Sequence, residues 1–275
     1  MTLPDAVKQP LLRSFHSYIL TPGWKFEGSG PNEKHRQLLV EYDNIVAEVN
    51  LLSPEHVFIL VVLQIYLPMD FRYKNIIIGT ALKMGNGMAD YAHKAATTGS
   101  ICIETVAEYD QYCHYAGGLG MQGLSRIFSA SGMESRIQPE LSNSVGLFIQ
   151  KTDIIGDYRE DVDQQRYFWP REIWGREEYG FKEMTEMYKT DPDTVRRATY
   201  VQSAMALDAL QHVIDVLDCL RLVRNQSLFN VSAIMAVMTI ADLALFFMNK
   251  EIFQRKIEVR KADIAKVCEY PLFPC

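Results

Sequence analysis

Residues 143–161 read NSVGLFIQKTDIIGDYRED. Leu147, Phe148, Ile154 and Ile155 recur at the spacing that gathers apolar side chains on one side of a helix. Asp153, Asp157 and Asp161 follow at four-residue intervals, with Gln150 one turn earlier and Glu160 at the edge. On a helix these polar groups form one stripe. Like charges at that spacing repel, and more strongly when desolvated, so a partly buried helix carrying them calls for cations. Oxygen-only donors suit Mg²⁺, which commonly bridges carboxylates to substrate phosphates. A solvated acidic face has the same composition, and both readings stand at this point.

Upstream lies Tyr112-Cys-His-Tyr115, then Ala116-Gly117-Gly118-Leu-Gly120-Met-Gln-Gly123. Each glycine inside a helix costs roughly 0.8–1 kcal/mol relative to alanine. Four so close together need a reason, either tight helix packing or room for a bulky ligand. Tight packing, with Tyr112 and Tyr115 filling the core, is the simpler reading; a tyrosine beside a channel for chemistry is the sharper one.

Helical periodicity runs through the rest of the chain. After a Pro- and Gly-rich opening, helices are expected over 33–49, 74–96, 101–131, 142–160, 172–188, 193–224 and 228–249. Strand alternation is almost absent, so the fold class is all-α, a helical bundle in a single domain over 1–275. Residues 56–72 do not fit, because their β-branched, uncharged run stands where a short helix-to-helix connection belongs; they read as an insertion. Val57–Leu67 is too short to span a bilayer, and Leu228–Met248 carries Asn230, Ser232, Thr239 and Asp242, which favours a buried core helix over a membrane span. The formal net charge of -6 and the lack of a basic run argue against a nucleic-acid partner. The five cysteines show no metal-ligand spacing and read as free thiols of a reducing compartment.

Several strings together resemble the squalene and phytoene synthase family, and within it squalene synthases with a fungal flavour. They are PGWKF (22–26), GPNEKHRQLLVEYD (30–43), MGNGMADYA (84–92), YCHYAGGLGMQGLSRIFSASG (112–132), residues 143–161 quoted above, FWPREIW (168–174) and RNQSLFN (224–230). The resemblance implies an isoprenoid-synthase-type bundle around a central cavity. It also implies condensation of two farnesyl diphosphates to presqualene diphosphate, then reduction to squalene with NADPH in sterol biosynthesis. By position, the family's catalytic tyrosine matches Tyr112 and its second acidic motif matches Asp157, Glu160 and Asp161, with Gln150 and Asp153 as neighbouring Mg²⁺ ligands. An arginine associated with NADPH matches Arg260. A monomer associated with the endoplasmic reticulum membrane is the family expectation, although no anchor is read in this chain.

The same resemblance predicts a front-truncated chain, because the family's first acidic motif ends just before a segment like Met1-Thr-Leu-Pro4. Gly156 stands where the family has arginine, Glu258 where it has lysine, and Met121 where it has glycine. These departures leave an alternative open: a degenerate, non-catalytic relative that binds a prenyl diphosphate or a protein partner.

Overall fold

The computed structural model describes residues 3–19, 21–31, 36–44, 71–135 and 137–259. Arg260 and residues 56–70 of the expected insertion lie outside the described residues. Contacts gather into two compact units, 1–97 and 98–275.

The first unit holds α1 (Asp5–Tyr18), α2 (Arg36–Val40) and most of α3 (Phe71–Thr98). The sequence reading missed α1 because Pro10 sits inside it and lacks an amide hydrogen. Long-range contacts with α3 override that penalty. Gln9 donates to the Ala89 carbonyl at 2.8 Å, Arg13 meets Asp90 at 2.6 Å, and His93 meets Asp5 at 2.8 Å. Trp24 of the PGWKF string stacks on Tyr18 at 5.6 Å and meets Phe15 and Tyr42 edge-on, which ties the loop to α1. The helix expected over 74–96 is α3; of 33–49, α2 covers 36–40 and residues 33–35 and 45–49 lie outside the described set.

The second unit opens with β1 (Ile101–Cys102), then α4 (Val106–Cys113), a π-helical turn (His114–Gly118) and α5 (Leu119–Ala130). Next come α6 (Pro139–Gly156), α7 (Tyr158–Asp163), β2 (Arg166–Tyr167), α8 (Arg171–Trp174) and a 3₁₀ turn (Met184–Tyr188). The unit closes with α9 (Pro192–Leu210), α10 (Val213–Leu222), α11 (Gln226–Phe246) and a second 3₁₀ turn (Lys250–Phe253). The all-α class holds among the described residues apart from one parallel pair, Ile101 beside Arg166 and Cys102 beside Tyr167. That pair displaces the expected helix start at 101 to Thr105, whose side chain caps α4 by accepting from the Glu108 amide. The helix expected over 172–188 is two short pieces, because Gly175 ends α8 and Gly180 adopts φ +65°. The helix expected over 193–224 breaks after Leu210 into α9 and α10.

α6 is the central helix: the π-helical turn, α5, α9, α10 and α11 all pack against it. Its apolar residues Leu147, Phe148, Ile154 and Ile155 are buried, as the periodicity requires. Beyond its end, Tyr158, Trp169 and Phe253 form an aromatic cluster with ring centroids 4.9–6.1 Å apart. The Trp169 indole donates to the Ile154 carbonyl at 3.2 Å, which locks the loop after α7 onto α6.

α11 is buried at Leu228, Ala233, Ala236, Thr239, Leu243 and Phe246, and most of its other residues are half-buried. Of its most apolar window, 28% is buried. Among the described residues, it is the one helix long and apolar enough to cross a membrane.

Candidate functional site

The acidic stripe does not lie on one helix. α6 ends at Gly156, Asp157 takes φ -87° and ψ 6°, and α7 carries the motif onward. Helical hydrogen bonds still span the break: the Asp157 amide donates to the Asp153 carbonyl, and the Asp161 amide to the Asp157 carbonyl, each at 2.9 Å. The four-residue rise of the stripe therefore survives while its direction changes at Asp157.

Gly156 is matched to α11. A Cβ there would stand 2.5 Å from the Phe246 ring, so the ring occupies the space a side chain at 156 needs. Phe246 is buried and its carbonyl accepts from the buried Gln202 amide, so it has little freedom to withdraw. Gly156→Arg is expected to destabilise the fold by about 1–3 kcal/mol through overpacking. The loss should be smaller in a Phe246→Leu background, as read by chemical denaturation of the four variants in the cycle.

Each carboxylate has a different neighbourhood. Asp157 pairs with Lys256 at 2.8 Å, and Lys256 also lies 3.7 Å from Glu258. Asp161 is buried and accepts from Arg166 through Nε at 2.9 Å and Nη2 at 2.5 Å. Burial still holds its pKa up to about 6 against the pull of Arg166. Glu160 accepts from Gln164 at 3.3 Å. Asp153 reaches solvent, yet its pKa is also raised to about 6, first by lost hydration, then by Asp157 and by Asp242 of α11. Asp242 is itself raised by burial and accepts a bond from the Val259 amide at 3.3 Å. Gln150 packs its Cβ 3.2 Å from the place a Cβ on Gly117 would take.

Among the described residues no three His, Cys, Asp or Glu side chains converge into a metal cluster. The donor chemistry nevertheless fits a hard cation. Asp153 and Asp157 stand on consecutive turns, every donor is oxygen, and Asp153 carries a charge that burial and Asp157 oppose. Such a face can hold Mg²⁺ when other oxygens, those of a diphosphate, complete its shell.

The raised pKa of Asp153 has a defined effect on stability. Between the ordinary 3.8 and about 6, the folded chain keeps a proton that the unfolded chain has lost. Stability without metal therefore falls as pH rises through that window. Asp153→Asn should match the parent near pH ~4 and be more stable near pH ~7, by on the order of 0.5 kcal/mol because solvent screens the carboxylate. Metal-free melts across that range test it, and a gap that does not vary with pH would place the cause elsewhere.

Tyr112 lies in the last turn of α4 and is buried. Its ring stacks on Phe168 at 4.6 Å, and the Arg166 guanidinium lies 5.9 Å from the centre of the Phe168 ring. Since Arg166 also holds Asp161, a continuous run of contacts joins the tyrosine to the acidic stripe. Gln165, at φ +57°, turns the chain so that Arg166 comes back to Asp161. The glycines downstream divide between the two readings. Gly117 and Gly118 are packed against α6, whereas a Cβ on Gly120 would meet nothing within 4 Å. Met121 lines a slot of about 40 Å³ with Leu124, Phe128, Val145, Cys219 and Leu228.

Lys256, Arg166 and Asp242 were not singled out as site residues by sequence reasoning. Asp242 left a trace, an acid within an apolar helix; the two cations left none, since their partners are set by the fold.

The sequence profile of the squalene/phytoene synthase family matches residues 34–263. The chain is 48% identical to the squalene synthase of Ganoderma lucidum over 97% of its length and 56% of that protein's. It is 41% identical to the squalene synthase of Mycosarcoma maydis (95% of this chain, 45% of that one) and 41% identical to that of Schizosaccharomyces pombe (97% and 54%). It thus spans about half the length of these curated relatives. A solved complex of TcSQS with the ligand BPH1237 superposes with a TM-score of 0.80 at 32% identity, over 98% of this chain and 72% of that one.

Proposed function

The chain belongs to the squalene/phytoene synthase family, and from that footing we propose that it handles farnesyl diphosphate as a squalene synthase does. It joins two farnesyl diphosphates to presqualene diphosphate with loss of one diphosphate, and reduces that intermediate to squalene with hydride from NADPH as the second diphosphate leaves. The observation that carries this reading is the run of contacts from Tyr112 through Phe168 and Arg166 to Asp161, beside the carboxylates of α6.

In this reading Asp153 and Asp157 hold Mg²⁺, with Gln150 and Glu160 as flanking oxygens. When bound, Mg²⁺ neutralises charge on a departing diphosphate. Asp161 serves differently: its charge is committed to Arg166, so it orients the guanidinium beneath which Phe168 and Tyr112 stack. Of the two rings, Tyr112, which Phe168 backs, is the one proposed to offer a π face to an allylic cation, a stabilisation worth about 0.5–2 kcal/mol and more when water is excluded. Lys256 must give up Asp157 for a metal ion to take its place. Glu258 reverses the charge expected near NADPH phosphates, and Lys256, two residues earlier, returns one positive charge to that segment. Arg260 is the proposed NADPH contact. The apolar α11, with Ile240, Ala244 and Leu245 exposed, suits work at a membrane surface, where the substrate's prenyl chains reside.

The alternative reading, a relative that binds prenyl diphosphate without turnover, draws on the same ion pairs, since Lys256 and Arg166 satisfy two of the carboxylates internally. One experiment separates the readings. The purified chain is given labelled farnesyl diphosphate and Mg²⁺, with and without NADPH, and the products are resolved by chromatography. Presqualene diphosphate without NADPH and squalene with it are expected. Mg²⁺-dependent retention of the label without any product would replace synthesis by binding.

A further inference from the structure

The segment carrying Tyr112 and the helix carrying Gln150 and Asp153 cross with almost no side chain between them. A Cβ on Gly146 would stand 2.6 Å from the Gly118 Cα and 2.7 Å from the Gly117 carbonyl. Backbone on backbone allows close approach, but it offers no ridge to stop one helix sliding along the other. Polar pins stand on either side of the crossing. On one side, the His114 ring nitrogen and the Asn143 side-chain oxygen are 2.6 Å apart. On the other, Lys151 Nζ meets Asp110 at 2.6 Å and Asp208 at 2.7 Å.

The Lys151 pin is the more unusual. Its side chain is 0% exposed and its ammonium lies 5.3 Å from the centre of the Tyr109 ring. Nearby His212 adds no second cation at neutral pH, because burial first, and the Lys151 charge second, push its pKa down. Burying an ammonium between carboxylates contributes little net stability, since desolvation offsets most of the attraction; what it can set is a unique register. Here the register matters, because Asp110 precedes Tyr112 by two residues and Lys151 directly follows Gln150.

We propose that Lys151 is a positioning residue. Its ion pair with Asp110 sets the register in which α4 presents Tyr112 beside α6, while its hydrogen bond to Asp208 anchors the lysine to α9. The inference rests on the reading of Tyr112 and the acidic stripe as the reacting site.

The test compares Lys151→Met, Asp110→Asn and Asp208→Asn in the full chain by amide hydrogen exchange over 106–118 and by steady-state turnover of farnesyl diphosphate with Mg²⁺ and NADPH. Lys151→Met and Asp110→Asn should speed exchange over 106–118 by about tenfold. Both should lower kcat by about 100-fold with KM held within about threefold. Asp208→Asn should lower Tm yet leave kcat and that exchange near the parent's. Equal loss of kcat in Asp208→Asn and Asp110→Asn would overturn the proposal, because the triad would then be a general brace. So would unchanged exchange over 106–118 in both of the other variants. If the parent turns over no farnesyl diphosphate, the functional reading fails by itself, and the exchange pattern still decides the pin. Asp110→Asn leaves the lysine paired with Asp208, so it carries the test should Lys151→Met not fold.

Discussion

Gly146→Ala is expected to destabilise the chain by about 3 kcal/mol or more. The added Cβ would lie 2.6–2.7 Å from three backbone atoms of Gly117 and Gly118. Backbone cannot rotate away as a side-chain tip can, so the π-helical turn must part from α6. The separation also draws Tyr112 and Gln150 apart, so binding of a farnesyl diphosphate analogue should fall even where folding is rescued by an osmolyte. Gly120→Ala is the control. It sits in α5 with open space around it, and replacing glycine by alanine there should stabilise by up to about 1 kcal/mol. Denaturation curves of both variants check the pair. Equal and small effects would mean that the crossing is looser than its backbone contacts require.

The second large effect is on ligand binding. Asp157→Ala should weaken Mg²⁺-dependent binding of a non-hydrolysable farnesyl diphosphate analogue by about 100-fold, roughly 2.7 kcal/mol. Its fold should survive, because Asp157 is partly exposed at a helix break and its ion-pair partner is the half-exposed Lys256. Lys256→Met should act in the opposite sense, since Asp157 is then free of its internal cation, and metal affinity should rise severalfold. Calorimetric titration of analogue into parent and variants, with Mg²⁺ and with EDTA, measures both. If Asp157→Ala binds as the parent does, the stripe is a solvated acidic face and the metal reading is lost. If Asp157→Ala and Lys256→Met weaken binding alike, the ion pair itself holds the ligand and no cation replaces Lys256.

Much of the fold was legible because helices declare themselves locally. The apolar period of residues 147–155 placed the buried face of α6, and α3 and α11 fall within a few residues of the expected 74–96 and 228–249. The failures have local causes overridden at long range, or the reverse. Pro10 argued against a helix that α3 supports through Gln9, Arg13 and Asp5. Residues 172–188 carried enough helix formers to suggest continuity, yet Gly180 in the left-handed region and the packing of Trp174 and Met184 break them into pieces.

The candidate site divides along the same line. The identity and spacing of Gln150, Asp153, Asp157, Glu160 and Asp161 are properties of a single stretch, so the sequence alone determined that an oxygen-rich stripe exists and that Tyr112 precedes a glycine-rich turn. Which carboxylates carry an internal cation depended on where β2 and the segment after α11 come to rest. Arg166 reaches Asp161 only through the turn at Gln165, and Lys256 reaches Asp157 only because Phe253 docks on Tyr158 and Trp169. Tertiary structure alone decided that Gly156 answers Phe246, that Lys151 is clamped from two other helices, and that the stripe bends at Asp157. The physical reason is that helix propensity and periodicity act over one or two turns, whereas electrostatic pairing and packing are set by contacts between residues far apart in the chain.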